Sequence, residues 1–114
     1  MALKPQYLVV GLGRFGSNLA LTLEESGCEV LGLDSNEDAV DQIAGQITHS
    51  MIADCTEEKV YREIGVDHFD MAICAIGTDF QASLMAVLLL KENGARRIVA
   101  KASNHRSEEH TSEL

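Results

Sequence analysis

The stretch that decides the fold begins Tyr7-Leu8-Val9-Val10-Gly11-Leu12-Gly13-Arg14-Phe15-Gly16, continues with apolar positions at Leu19, Ala20 and Leu23, and reaches Asp34 after Val30, Leu31 and Leu33. A short apolar run closing on glycines and opening into a helical pattern predicts strand, tight turn and helix. Gly27 stands where a left-handed glycine ends such a helix, and residues 29–33 predict a second strand. Three glycines in GxGxxG spacing are a weak signal alone. Here a strand precedes them, a helix follows, and an acid lies 18 residues beyond the last glycine at the end of the next strand, as a dinucleotide-binding crossover requires. Gly11 permits the sharp turn, Gly13 lets a phosphate approach the backbone, and Gly16 lets the helix sit close to the sheet.

Working outward, the alternation continues. Ser35 or Asn36 caps a helix whose Ala39, Val40, Ile43 and Ala44 share a face before Gly45. Residues 47–53 predict a third strand, and residues 54–58 open a short helix with Val60 and Ile64 inward. Residues 71–76 predict a fourth strand ending at Gly77, Thr78 or Asp79 caps the longest helix over residues 80–93, and residues 97–101 predict a fifth strand. Strands alternating with helices through short connections give an α/β class, a Rossmann-like doubly wound parallel sheet of order 3-2-1-4-5. A sixth strand is expected past a truncation of the natural sequence near His105. Residues 84–90 make the long helix apolar nearly all round, where a helix on a sheet needs only a stripe, so its outer face is expected to meet another subunit.

The 114 residues are 46% hydrophobic, enough for one domain with a core that needs no disulfide or metal. Nine basic residues against eighteen acidic ones argue against a grip on nucleic acid, and no apolar run approaches the ~18 residues of a membrane-spanning helix. Three cysteines, Cys28, Cys55 and Cys74, without metal-ligand spacing, point to reduced thiols in a cytoplasmic protein. Residues 106–114 read RSEEHTSEL, a polar string without periodicity that matches an in-frame translation of a common sequencing adapter. The expectation is a non-native tail on a truncated domain spanning residues 1–105.

The candidate ligand contacts follow from the strand ends. The amides that open the first helix, around Gly11, Gly13, Arg14, Phe15 and Gly16, face phosphates with the helix dipole behind them. Asp34 accepts from ribose hydroxyls and repels a 2′-phosphate, or it caps the following turn; the two roles are compatible. Asp54 either accepts from an adenine amino group, with Cys55 and Thr56 along the base edge, or caps the next helix. Arg14 either adds a bidentate contact to terminal phosphates or is a solvated surface group, and Lys101 is a second candidate cation. Neither a nucleophile with its base nor a metal-ligand pattern is evident, and His49 and His68 read as surface residues.

Five blocks in order, GLGRFG at 11–16, LDSNED at 33–38, ADCTEE at 53–58, AIGTDFQASL at 75–84 and AKASN at 100–104, resemble the RCK or KTN domain. That is the TrkA N-terminal nucleotide-binding domain of regulatory subunits of Trk and Ktr potassium uptake systems and of ligand-gated potassium channels. The likeness covers residues 5–105 and is nearest to a stand-alone Ktr-type subunit. It implies a cytoplasmic, non-enzymatic module that binds ATP, ADP, NAD or NADH as a regulatory ligand. It further implies a homodimer assembling into a ring beneath a membrane potassium channel, with no membrane insertion of its own. By position, Gly11, Gly13, Arg14 and Gly16 would hold phosphates, Asp34 the ribose, and Ser35 and Asn36 its surroundings. Asp54 and Cys55 would border the adenine, while Ile76 and Gly77 would line the cleft. The chain departs from that family by stopping early, before the crossover helix and the C-terminal ligand domain. The other reading of the residues is the NAD-binding domain of a truncated dehydrogenase, which Asp34 suits equally.

Overall fold

The computed structural model describes residues 3–103 and 109–113, with side chains described for residues 3–101. Its elements are β1 (Gln6–Val10), α1 (Arg14–Glu25), β2 (Glu29–Asp34), α2 (Glu37–Ile43), β3 (His49–Ile52), α3 (Glu58–Ile64), β4 (Met71–Cys74), α4 (Phe80–Glu92), β5 (Ile98–Ser103) and β6 (Glu109–Glu113). The sheet order is β3-β2-β1-β4-β5-β6, with the first five strands parallel as expected and β6 antiparallel to β5. The β6 strand falls in the segment expected to be a non-native tail, of which residues 106–108 and 114 lie outside the described residues. An unpaired β5 edge offers free backbone groups to any extended segment, which needs no apolar periodicity to pair with it.

The strands build two cores because successive side chains point to opposite faces. Leu8 and Val10 of β1 pack with Leu33, Cys74, Val60, Tyr61 and Leu90 under α3 and α4. Val9 packs with Val30, Ile73, Ala20 and Val40 under α1 and α2. Leu12, in the turn after β1, buries its side chain in this second core, where Gly32 leaves it room: a Cβ on Gly32 would lie 2.9 Å from Leu12 Cδ2.

Sheet order reverses between β1 and β4, the place where doubly wound sheets open a crevice beyond the carboxyl ends of their strands. Two chain departures shape it here. Gly11 takes φ +101°, and β4 ends at Cys74, two residues sooner than the apolar run suggests, with Ala75 N–H still donating to Val10 O at 2.7 Å before Ile76 and Gly77 leave the ladder.

Candidate functional site

The glycine turn is stitched to β2 before it is open to anything else. Gly11 N–H donates to Leu33 O at 2.8 Å, and Leu12 N–H donates to Asp34 Oδ2 at 2.7 Å. After these two amides the chain enters α1 with Gly13 as its N-cap, a residue with no side chain to close the helix end. Among the described residues, the N–H groups of Gly13, Arg14, Phe15 and Gly16 have no acceptor; the first helical bond is Ser17 N–H to Gly13 O. Open amides at a helix start, with the dipole aligned, are an anion site in waiting.

The three glycines differ in what they make room for. A Cβ on Gly16 would fall 1.8 Å from Gly11 O, so the helix rests directly on the turn. A Cβ on Gly13 would meet nothing within 4 Å. Its bareness serves no contact inside the chain and leaves clear the space in front of the amides.

Gly13 borders a cleft of about 290 Å³ lined also by Gly11, Leu33, Asp34, Ser35, Cys55, Ala75, Ile76, Gly77, Thr78, Asp79 and Ala82. Of the residues expected at the site, it gathers Gly11, Gly13, Asp34, Ser35, Cys55, Ile76 and Gly77. Arg14, Phe15 and Lys101 line a neighbouring groove with Asn18, where the Lys101 ammonium sits 5.1 Å from the centroid of the Phe15 ring. Gly16 is buried beneath the loop. Asn36 turns to its own helix, its carboxamide oxygen accepting from the N–H groups of Asp38 and Ala39. The exposed Asp54 carboxylate accepts from Thr56 N–H at 2.9 Å and Thr56 Oγ1 at 2.6 Å, while the N-cap of α3 is Glu57. The Thr56 hydroxyl, then its amide, hold the Asp54 pKa below the usual carboxylate value.

Asp34 holds the geometry together. Besides Leu12, it accepts from Asn36 N–H through Oδ1 at 2.9 Å, which leaves each oxygen with acceptor capacity for a further donor. On the far wall, Asp79 caps α4 by accepting from Ala82 N–H at 3.0 Å. The cleft therefore carries two carboxylates and no Lys or Arg among its lining residues. The Lys101 ammonium lies at its edge, 3.2 Å from where a Cβ on Gly77 would stand, so positive potential there comes from backbone amides and from Lys101. Cys55 is half-buried, and desolvation first, then the nearby Cys74, push its thiol up to about 11. Beneath it the fully buried Tyr61 donates its hydroxyl to Cys55 O, and burial raises the phenol above its ordinary value. Sequence patterning placed Val60 and Ile64 inward on α3 and missed Tyr61. The lining by Thr78, Asp79 and Ala82 was also missed, although their place just after β4 at the switch point was a usable signal.

The class of protein that this sheet and its glycine turn define is the Rossmann-like nucleotide-binding fold. Solved structures share it. The NAD(P)-binding domain of an exopolyphosphatase-related protein from Archaeoglobus fulgidus superposes with a TM-score of 0.79 at 21% identity, covering 92% of this chain and 78% of that one. The TrkA-N domain of the inner membrane protein ybaL from Escherichia coli gives 0.62 at 17% identity, covering 86% and 88%. Within that class, the TrkA-N domain family model matches residues 7–114, and the chain belongs to this family. The Ktr system potassium uptake protein C of Bacillus subtilis is 42% identical over 102 residues, 90% of this chain and 46% of the relative. The Ktr system potassium uptake protein A of Vibrio alginolyticus is 41% identical over 99 residues, 87% and 45%. The chain thus spans about half the length of the curated relatives it matches. No helix among the described residues is long and apolar enough to cross a membrane.

Proposed function

We propose that this chain is the nucleotide-binding part of a cytoplasmic regulatory subunit that gates a membrane potassium transporter, with ATP, ADP or NAD(H) bound as a signal and not turned over. The observation that carries the reading is the run of four open amides, Gly13 to Gly16, beside a cleft whose wall holds Asp34. The amides take phosphate oxygens. Asp34 takes the ribose hydroxyls on its remaining lone pairs and disfavours a 2′-phosphate. Ser35 borders the sugar, and Cys55, Ile76 and Gly77 line the wall against the rest of the ligand. Gly11 and Gly16 act by shaping the turn.

Arg14 and Lys101, in the groove next to the cleft, suit terminal phosphates that extend past the amides or phosphates held by a neighbouring subunit. Residues 1–105 are the functional unit and residues 106–114 a non-native addition. Exposed Phe80, Leu84, Met85 and Leu88 on α4 form the face on which two copies pair before ring assembly. A ligand gates only by as much as its affinity differs between two subunit arrangements.

Calorimetry with ATP, ADP, NADH and NADPH tests the proposal. Binding of ATP or ADP, with or without NADH, and with NADPH at least tenfold weaker than NADH, is the expected outcome. Exclusive binding of NADH would favour the second reading, the cofactor domain of a dehydrogenase, which Asp34 at the end of β2 suits equally. Absence of binding by all four overturns both.

A further inference from the structure

The first two amides of the glycine turn are committed to the end of β2, one of them to a side chain. Leu12 N–H donates to Asp34 Oδ2 at 2.7 Å in a partly buried setting, while the Leu12 side chain is anchored in the core at 3% exposure. The next four amides are open. We propose that Asp34 is a positioning residue for phosphate as well as a reader of sugar: its carboxylate clamps Leu12 N–H and thereby holds the four following amides in their anion-accepting arrangement. This rests on the nucleotide-binding reading above and deepens it.

The physical case turns on where Leu12 N–H goes without the carboxylate. A partly buried amide that loses a charge-assisted bond is costly, and the chain relieves it by turning toward water or toward a carbonyl. Gly11 and Gly13 on either side leave that turn easy, because neither carries a Cβ to resist it. Any such rotation changes the direction of Gly13 N–H and the start of α1. Simple electrostatics argues the opposite way: Asp34 is a negative charge beside an anion site, so its removal should strengthen the binding of an anion that has no sugar. The two effects therefore have opposite signs for a sugarless ligand, which makes the clamp separable from ribose recognition. Through Oδ1 the same carboxylate also holds Asn36 N–H, just ahead of α2. A ribose bound to Asp34 thus touches the group that ties the phosphate loop to the next crossover.

The test uses the full 114-residue chain, inorganic tripolyphosphate as the sugarless probe, ATP and NADH as the complete ligands, and nitrogen-resolved NMR titration as the readout. Asp34→Ala is expected to speed exchange of the Leu12 amide and to weaken tripolyphosphate by about tenfold, the equivalent of one charge-assisted bond. Gly11 N–H, bound to Leu33 O, should keep its protection. Asp34→Asn keeps one oxygen acceptor for the two amides Asp34 serves. With that oxygen on the partly buried Leu12 N–H and the exposed Asn36 N–H released to water, it should restore part of the tripolyphosphate affinity and keep the Leu12 resonance hydrogen-bonded but shifted upfield. This variant carries the test should the alanine variant fold poorly. Tripolyphosphate affinity unchanged or increased in Asp34→Ala, or an Asp34→Asn chain with a freely exchanging Leu12 amide and full tripolyphosphate affinity, overturns the clamp. In either case, loss of ATP affinity in the variant leaves the nucleotide reading standing. If neither ATP, NADH nor tripolyphosphate perturbs the unmodified chain, the nucleotide reading falls and the clamp with it.

Discussion

Helices α1 and α4 are nearly equal in length, 12 and 13 residues, and both follow strands that flank the switch point, yet their two ends of business differ in every respect. The N-terminus of α1 has a bare glycine cap and open amides; that of α4 is closed by Asp79, whose carboxylate takes Ala82 N–H. Along its length α1 is amphipathic and buries one stripe, whereas α4 buries Ala86, Val87, Leu89 and Leu90 and still exposes Phe80, Leu84, Met85 and Leu88. One helix offers its end to a small anion, and the other offers its side to a surface. A crossover helix can thus be specialised by two choices: the cap residue and the breadth of its apolar face.

Breaking the α1 end should have the largest effect. Gly16→Ala places a methyl 1.8 Å from the Gly11 carbonyl oxygen, backbone that cannot swing aside. A loss of about 3 kcal/mol in chemical denaturation is expected, together with loss of nucleotide binding. Gly13→Ala separates the two consequences. Its Cβ meets nothing, so stability should stay within ~0.5 kcal/mol of the unmodified chain while calorimetric affinity for ATP or NADH falls by tenfold or more, through the space it fills before the amides.

On the α4 side, Asp79→Ala removes the cap and should cost about 1 kcal/mol in denaturant midpoint measurements. Leu88→Glu should change monomer stability by less, since the residue is 47% exposed, and sedimentation should show weaker self-association if this face pairs two copies. The smallest effect concerns pH. The Cys55 thiol is raised from 9.0 to about 11, so the folded chain holds that proton where an unfolded one has lost it. This contribution to stability is complete below pH 9 and lost as pH rises through about 11. Tyr61 acts in the same direction above pH 10, so Cys55→Ser should flatten only part of the alkaline decline in denaturation profiles.

The regions were not equally legible beforehand. Apolar runs bounded by glycines placed all five parallel strands, and the short crossovers placed their order, because handedness leaves few alternatives. Cap chemistry was nearly readable: of Ser35 and Asn36, and of Thr78 and Asp79, the structure uses Asn36 and Asp79. Strand ends were less so. The β4 apolar run continues through Ile76, but Ile76 leaves the ladder to line the cleft, and hydrophobicity does not distinguish pairing from lining. Tyr61 escaped because a phenol on a short helix reads as amphipathic surface until a carbonyl, here that of Cys55, is found to receive its hydroxyl. Leu12 stood in the motif as an arbitrary residue, although its side chain fills a core and its amide meets Asp34. The turning of Arg14 away from the cleft lining required coordinates, since adjacent residues on a helix start face different ways, and so did the placing of Lys101 between the Phe15 ring and Gly77.

The central claim is that α1, not α4, presents the anion site. Amide NMR during titration with ATP and with NADH tests it most directly. The expected result is saturable shifts at Gly13, Arg14, Phe15 and Gly16, with Asp34 next and the α4 amides around Ala82 little changed. Saturable shifts centred on Ala82 and its neighbours, with the glycine turn unmoved, would contradict it.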